Sequence, residues 1–109
     1  DIEDLAADKR PFARRFAVVL LLDFYAGEEY APRIFSLCER MARGEYYVNM
    51  AIAWLLSVCY VKAPAATKAY LARCTLEEDI LKKTERKILE SFRVSEEDKQ
   101  NIRKYGVKY

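Results

Sequence analysis

The pattern of apolar residues constrains the fold of this chain more than any other feature. Residues 12–25 are apolar on nearly every side of a helix, interrupted only by two arginines and one aspartate. The segment that follows Pro32 instead divides into one apolar and one charged face. Residues 46–61 are again apolar almost all round, and a short helix then follows Pro64 and runs to about Arg73. The sequence predicts buried helices that alternate with outer, amphipathic ones.

This alternation repeats in register. When Phe12 is placed over Tyr47, three identities and one dipeptide align: Leu20 with Leu55, Leu21 with Leu56, Tyr25 with Tyr60, and, after a slightly longer loop, Ala31-Pro32 with Ala63-Pro64. The period of about 32 to 35 residues is close to that of helical-hairpin repeats, which bury their apolar faces by stacking on their neighbours. We predict an all-α helical-repeat solenoid; the alternative is a single irregular helical bundle.

Weaker signals mark the two ends of the chain. Residues 1–10 look like a polar lead-in, whereas Thr75 or Glu77 can open a fifth helix. The apolar side of that helix would carry Ile80, Leu81, Thr84, Ile88 and Phe92. Residues 95–98 are typical of a capping box for a last helix that ends near Gly106. We therefore expect about six helices in three antiparallel hairpins, forming a single domain over residues 1–109.

Composition supports this class and limits the function. A chain of 109 residues with 52% hydrophobic residues, 3 Gly and 3 Pro is too apolar for disorder and too poor in turn formers for an all-β fold. The net charge is only +2, so a basic nucleic-acid site would have to be local. The longest apolar run, residues 16–22, is far shorter than the roughly 20 residues that span a bilayer. We expect a soluble, cytoplasmic protein with no membrane partner.

Cysteine and histidine usage narrows the possible chemistry. Cys38, Cys59 and Cys74 are odd in number and far apart, which favours buried thiols over a disulfide framework or a metal knuckle. The chain has no histidine, which removes Ser/His and Cys/His nucleophile pairs and the commonest transition-metal ligand. We predict no metal and no cofactor, and any chemistry would depend on carboxylates, Arg, Lys or Tyr.

Two arginines and a tryptophan in the apolar helices are candidates for a site. Burying the guanidinium of Arg14 or Arg15 without a partner would cost several kcal/mol, so at least one must face solvent, an acid or a ligand. A phosphate is the ligand that suits such a planar fork of donors. Trp54 is the only tryptophan; by itself it indicates core packing, but beside an arginine on a concave face it would suit a sugar or base.

Charged residues of the predicted fifth helix are further candidates. Lys83, Arg86 and Lys87 are helical neighbours within a basic stripe that also includes Lys82 and Arg93. Such a stripe is either a solvated face or a surface for the DNA backbone. The acids at residues 77–79 precede it, where they stabilise a helix start and need no catalytic role.

Three segments resemble one known family. Residues 45–54, Glu-Tyr-Tyr-Val-Asn-Met-Ala-Ile-Ala-Trp, resemble the conserved helix of the AlkD-like DNA alkylation repair family, a HEAT-like-repeat group that contains DNA glycosylases for alkylated purines. Residues 12–20 resemble the preceding repeat helix. Lys83-Thr84, Lys87 and residues 90–93 resemble the C-terminal Lys-Thr/Glu-Ser-Tyr-Arg pattern. The resemblance extends over nearly the whole chain.

The resemblance implies a HEAT-like fold and a protein that binds alkylated double-stranded DNA. Family members act on cationic N3- or N7-alkylated purines, with an arginine on a phosphate and tryptophans against the lesion nucleotide. Arg15 matches that arginine, or Arg14 if the register slips by one, and Trp54 matches a tryptophan. Lys83 and Lys87 would add DNA-backbone contacts.

The family's catalytic aspartate would lie N-terminal to Asp1, and Asp23, at the far end of its helix, does not replace it. The chain then represents the C-terminal half of a longer protein and is inactive alone. Its uncovered repeat face would lead either to self-association or to a tightly packed, non-native first hairpin. The alternative function is a HEAT-like protein-interaction module without DNA chemistry.

Overall fold

The computed structural model describes residues 1–91. They form six α-helices and no strand: α1 (Ile2–Ala7), α2 (Pro11–Phe24), α3 (Ala31–Met41), α4 (Tyr46–Lys62), α5 (Pro64–Arg73) and α6 (Glu78–Leu89). The prediction of an all-α fold is confirmed. None of the helices within residues 1–91 is long and apolar enough to cross a membrane.

The helices pack in two layers. The inner helices α2, α4 and α6 lie side by side, with α4 in contact with both of the others. The outer helices α1, α3 and α5 pack against one another in the same order and cover the inner layer from one side. Each hairpin therefore consists of an outer helix followed by an inner one, which is the arrangement of stacked helical repeats.

This arrangement explains the two kinds of apolar pattern. Helix α4 is apolar almost all round because α2, α6, α3 and α5 all contact it. Helix α3 has solvent on one side, and the predicted apolar face is the buried one: Ile34, Phe35, Leu37, Cys38 and Met41. The outer layer is joined further by the rings of Phe35 and Tyr70, which stack with their centroids 4.4 Å apart.

The interpretation of residues 1–10 as a polar lead-in was wrong. They contain helix α1, whose N-cap Asp1 accepts a hydrogen bond from the backbone N–H of Asp4 at 3.0 Å. Ala6 is fully buried, and Ile2 and Leu5 pack against the core. The hairpins consequently begin one helix earlier than expected. The predicted last helix, from the capping box at residues 95–98 to Gly106, lies outside the described residues, as does Phe92.

One buried arginine joins the turns of two successive hairpins. Nη1 of Arg14 donates to the carbonyl oxygens of Asp8 and Lys9, both at 2.8 Å, and Nε donates to that of Met41 at 3.1 Å. Its other nitrogen forms an ion pair with Glu45, the N-cap residue of α4. The α1–α2 turn is thus fastened to the α3–α4 turn. The N-termini of α2 and α4 lie together, and the two inner helices run in the same direction.

Candidate nucleic-acid interface

A groove of about 320 Å³ crosses the exposed faces of the three inner helices. The lining residues of α2 and α4 recur every three or four positions, so each helix presents one face to the groove. The groove is lined by Arg15, Val18, Val19, Leu22, Asp23, Tyr46, Tyr47, Met50, Ala51, Trp54, Lys83 and Lys87.

Four of the five predicted site residues meet in this groove. Arg15 comes from α2, Trp54 from α4, and Lys83 and Lys87 from α6. Arg14 does not join them, because its guanidinium is fully buried in the joint between the two turns. At least one of these arginines was expected to face solvent, an acid or a ligand: Arg14 pairs with the acid Glu45, and the exposed Arg15 borders the groove.

Trp54 is exposed to an extent that core packing does not explain. Just over half of the side chain, 52%, is accessible, although both of its neighbours in the chain are buried. The ammonium nitrogen of Lys87 lies 5.8 Å from the centroid of its ring, within the range of a cation–π contact. Beyond Trp54 a second hollow continues along α4 toward Val61 and Ser91, and Lys87 borders both hollows. Trp54 therefore forms a ridge within a longer groove.

The basic residues of α6 lie in two different environments. Lys83 and Lys87 are partly buried and line the groove, whereas Lys82 and Arg86 are exposed. Lys82 forms an ion pair with Glu78 at 3.4 Å. Glu78 and Asp79 occupy the first turn of α6, which agrees with a role at the helix start. Arg93, the last member of the stripe, lies outside the described residues.

Sequence reasoning missed three residues of the groove. Tyr46 and Tyr47 were not predicted to belong to a site, but both rings are exposed and meet edge to face with centroids 5.4 Å apart. Asp23 was set aside because it lies at the far end of its helix, yet that end also borders the groove. The helical spacing from Arg15 through Val19 to Asp23 is the signal that could have revealed it.

The cysteines take no part in this site. Cys38 and Cys59 are buried and Cys74 is half-buried, and none of the three is in a disulfide. Burial raises the pKa of the Cys59 thiol to about 12 and also raises that of Cys38. Both are therefore protonated at neutral pH and are poor nucleophiles. Within residues 1–91 no three side chains from His, Cys, Asp and Glu are grouped to hold a metal ion.

The groove combines cations with exposed aromatic faces. Arg15, Lys83 and Lys87 can pair with phosphate oxygens, while Trp54 offers a flat face to a sugar or a base. These features define a helical-repeat protein with a cationic, aromatic groove on its inner helices.

Comparison with known proteins identifies the family. Residues 1–104 match the family described as DNA alkylation repair enzyme, and the chain belongs to that family. No curated protein and no solved structure matches the chain. The family indicated by the three sequence segments is thus confirmed.

Proposed function

We propose that this chain supplies the DNA-backbone and lesion-nucleotide contacts of a DNA glycosylase that acts on cationic N3- or N7-alkylated purines. The catalytic aspartate would be supplied from outside these residues. The observation that carries the proposal is the meeting of Arg15, Lys83 and Lys87 around the exposed indole of Trp54 in one groove.

The charges of this groove suit a DNA strand better than the net charge of the chain suggests. Three cations and one carboxylate line the groove, although the whole chain carries only +2. Arg15 presents its guanidinium fork to a phosphate, and Lys83 and Lys87 add two point charges from the opposite wall. Binding through these groups releases counterions and must weaken as salt rises.

The test is a titration of a labelled duplex with the 109-residue chain, followed by fluorescence anisotropy at several salt concentrations. Arg15→Ala should lower the affinity about tenfold and reduce the salt dependence by about one released counterion. Arg33→Ala is the matched control, because Arg33 lies on the outer helix α3 and pairs with the partly exposed Glu3. That control should stay within about twofold of the parent.

Trp54 provides an independent signal from the same titration. Since it is the only tryptophan, a change in its emission on adding DNA reports the groove directly. Absence of salt-dependent binding, or equal losses for Arg15→Ala and Arg33→Ala, would contradict the proposal. Binding of an apolar peptide with little salt dependence would instead favour the alternative, a protein-interaction module, because the groove wall also contains Val18, Leu22 and Met50.

A further inference from the structure

An apolar surface lies uncovered along the edge of the first hairpin. The rings of three phenylalanines on α2 are more than half exposed, and one end of their row opens into a hollow of about 510 Å³ between α1 and the α2–α3 turn. Leu20 and Phe24 belong both to the row and to the lining of the hollow, so the surface is continuous. We call it the hairpin edge: Phe12, Phe16, Leu20, Phe24, Tyr25 and Tyr30. A continuous exposed apolar surface is typical of a contact with another protein.

The two ends of the hairpin edge carry opposite charges. Lys9 lies just before α2, and Glu28 and Glu29 lie in the α2–α3 turn beyond its other end. All three side chains are exposed, and none of them has an ion pair within residues 1–91. The neighbouring Arg10 is already paired with Asp8 at 2.8 Å, so Lys9 supplies the uncompensated charge of the α1–α2 turn. The apolar row therefore runs from a basic end to an acidic end.

Antiparallel pairing of two copies brings these opposite charges together. The apolar row repeats every four residues and is symmetric about its middle, so a twofold axis there sets Phe12 of one copy against Phe24 of the other. Lys9 of each copy then lies level with the α2–α3 turn of the other copy, which carries Glu28 and Glu29. Parallel pairing would instead bring like charges together. Charge complementarity therefore favours the antiparallel orientation.

The opposite end of the stack of repeats offers no such apolar surface within residues 1–91. The large exposed apolar side chains of that part of the chain lie on the hairpin edge or in the groove, and none lies on α5 or α6. A head-to-tail contact would set the rings of the hairpin edge against exposed charges of α6 such as Lys82 and Arg86. A twofold contact instead buries the same apolar surface on both copies.

We propose that the hairpin edge is a self-complementary interface, on which a second copy of the chain docks with its α2 antiparallel and its basic end against the acidic turn. The apolar row supplies the affinity, and the charges at its ends set the orientation. The proposal does not depend on DNA binding, because the hairpin edge shares no residue with the lining of the groove.

Complementary charge reversals test the orientation. Lys9→Glu and Glu28→Lys should each weaken self-association about tenfold at low salt, because each reversal brings like charges together at both symmetry-related contacts. An equimolar mixture of the two variants should associate to within about threefold of the parent. One contact in the mixed dimer then pairs the two reversed residues, and the other keeps the original pair. Sedimentation equilibrium of the separate and mixed variants measures these constants.

Lys82→Glu and Glu78→Lys are the matched controls. They make the same two changes of charge on α6, and each should leave the association constant within about twofold of the parent. Circular dichroism checks that every variant has the helix content of the parent. Reversals at Lys9 and Glu28 without effect, or a mixture that associates no better than either variant alone, would overturn the proposal. A parent chain that stays monomeric would also overturn it and would assign the hairpin edge to a helix of a different chain.

Discussion

Arg14 and Arg15 are adjacent in the chain and have opposite surroundings. Arg14 is 0% exposed and is held by three backbone carbonyl oxygens and the carboxylate of Glu45. Arg15 is exposed and borders the groove. One step along a helix turns a side chain by about 100°, which here separates the contact between two repeats from the groove. Identical side chains therefore connect two repeats at one position and line the groove at the next.

A third side of α2, next to Arg15, carries Phe16 and other exposed phenylalanines. Phe12, Phe16 and Phe24 are 68%, 53% and 72% exposed, and with Leu20 they recur every four residues. Counted around the helix, this row lies opposite the side from which Arg14 reaches α4. In a stack of repeats, that side is where another inner helix would pack.

The largest expected effect is on stability, when the contacts that Arg14 makes between the α1–α2 and α3–α4 turns are removed. Arg14→Met should lower the free energy of unfolding by about 2–4 kcal/mol, because it leaves the carboxylate of Glu45 and three carbonyl oxygens without their donor. Arg15→Met, the adjacent control, should change it by no more than about 0.5 kcal/mol. Urea denaturation followed by circular dichroism measures both free energies of unfolding. Equal destabilisation by the two variants would show that the buried contacts of Arg14 add no stability beyond that of an exposed arginine.

The second prediction concerns the row of phenylalanines. Two copies of α2 paired antiparallel would place Phe12 opposite Phe24 of the second copy and Phe16 opposite its Leu20, as rows spaced by four residues allow. The three rings leave roughly 400 Å² uncovered, about half of the ~800 Å² per partner of a stable interface. We expect the chain to self-associate, and Phe16→Ser to weaken association at least about tenfold.

Sedimentation equilibrium measures this association. Tyr47→Ser is the control, because Tyr47 is even more exposed than Phe16, 74% against 53%, but lies in the groove, and it should leave the association constant unchanged. A chain that stays monomeric at every concentration, or that dissociates equally with either variant, would assign the phenylalanines no such role.

Arg14, Arg15 and Phe16 show how much of the structure could be predicted from the sequence. The apolar period predicted the helix, and the cost of burying a guanidinium required at least one arginine to face solvent, an acid or a ligand. Which arginine it is depends on Glu45, about 30 residues away, and hence on how two hairpins stack. The position of Asp23 beside the groove depends on that stacking too, so local pattern alone could not give it.

Helix α1 was missed for a related reason. It has only six residues, too few for a periodic signal or for stability in isolation. Its ordering comes from Ile2, Leu5 and Ala6 packing against the core and from the Asp1 cap. Lys83 and Lys87, by contrast, occur on the amphipathic helix α6, where the exposed side follows from the period. Arg15 and Trp54 occur on helices that are apolar almost all round, so the period predicted those helices but not the side that faces the groove.

The smallest expected effect is a pH dependence of stability, which the ion pair of Arg14 with Glu45 should cause and Arg15 should not. The hydrogen bond from Arg14 holds the pKa of the Glu45 carboxyl below its ordinary value of 4.5. A carboxyl whose pKa is lowered by folding contributes stability that is present above its unfolded pKa and is lost as the pH falls through the folded one. The advantage of the parent over Glu45→Gln should therefore be constant near neutral pH and shrink below pH 4.5.

Urea denaturation of both proteins from neutral pH down to about pH 3 measures this difference. Arg10, which hydrogen-bonds Asp8, lowers the pKa of that acid as well, but its effect is common to both proteins and cancels when they are compared. In an Arg14→Met background, Glu45→Gln should have no such pH dependence, because the donor that lowers the pKa is gone, whereas in an Arg15→Met background it should persist. Two curves that stay parallel into acid in the parent background would mean that the ion pair adds nothing to the carbonyl contacts of Arg14.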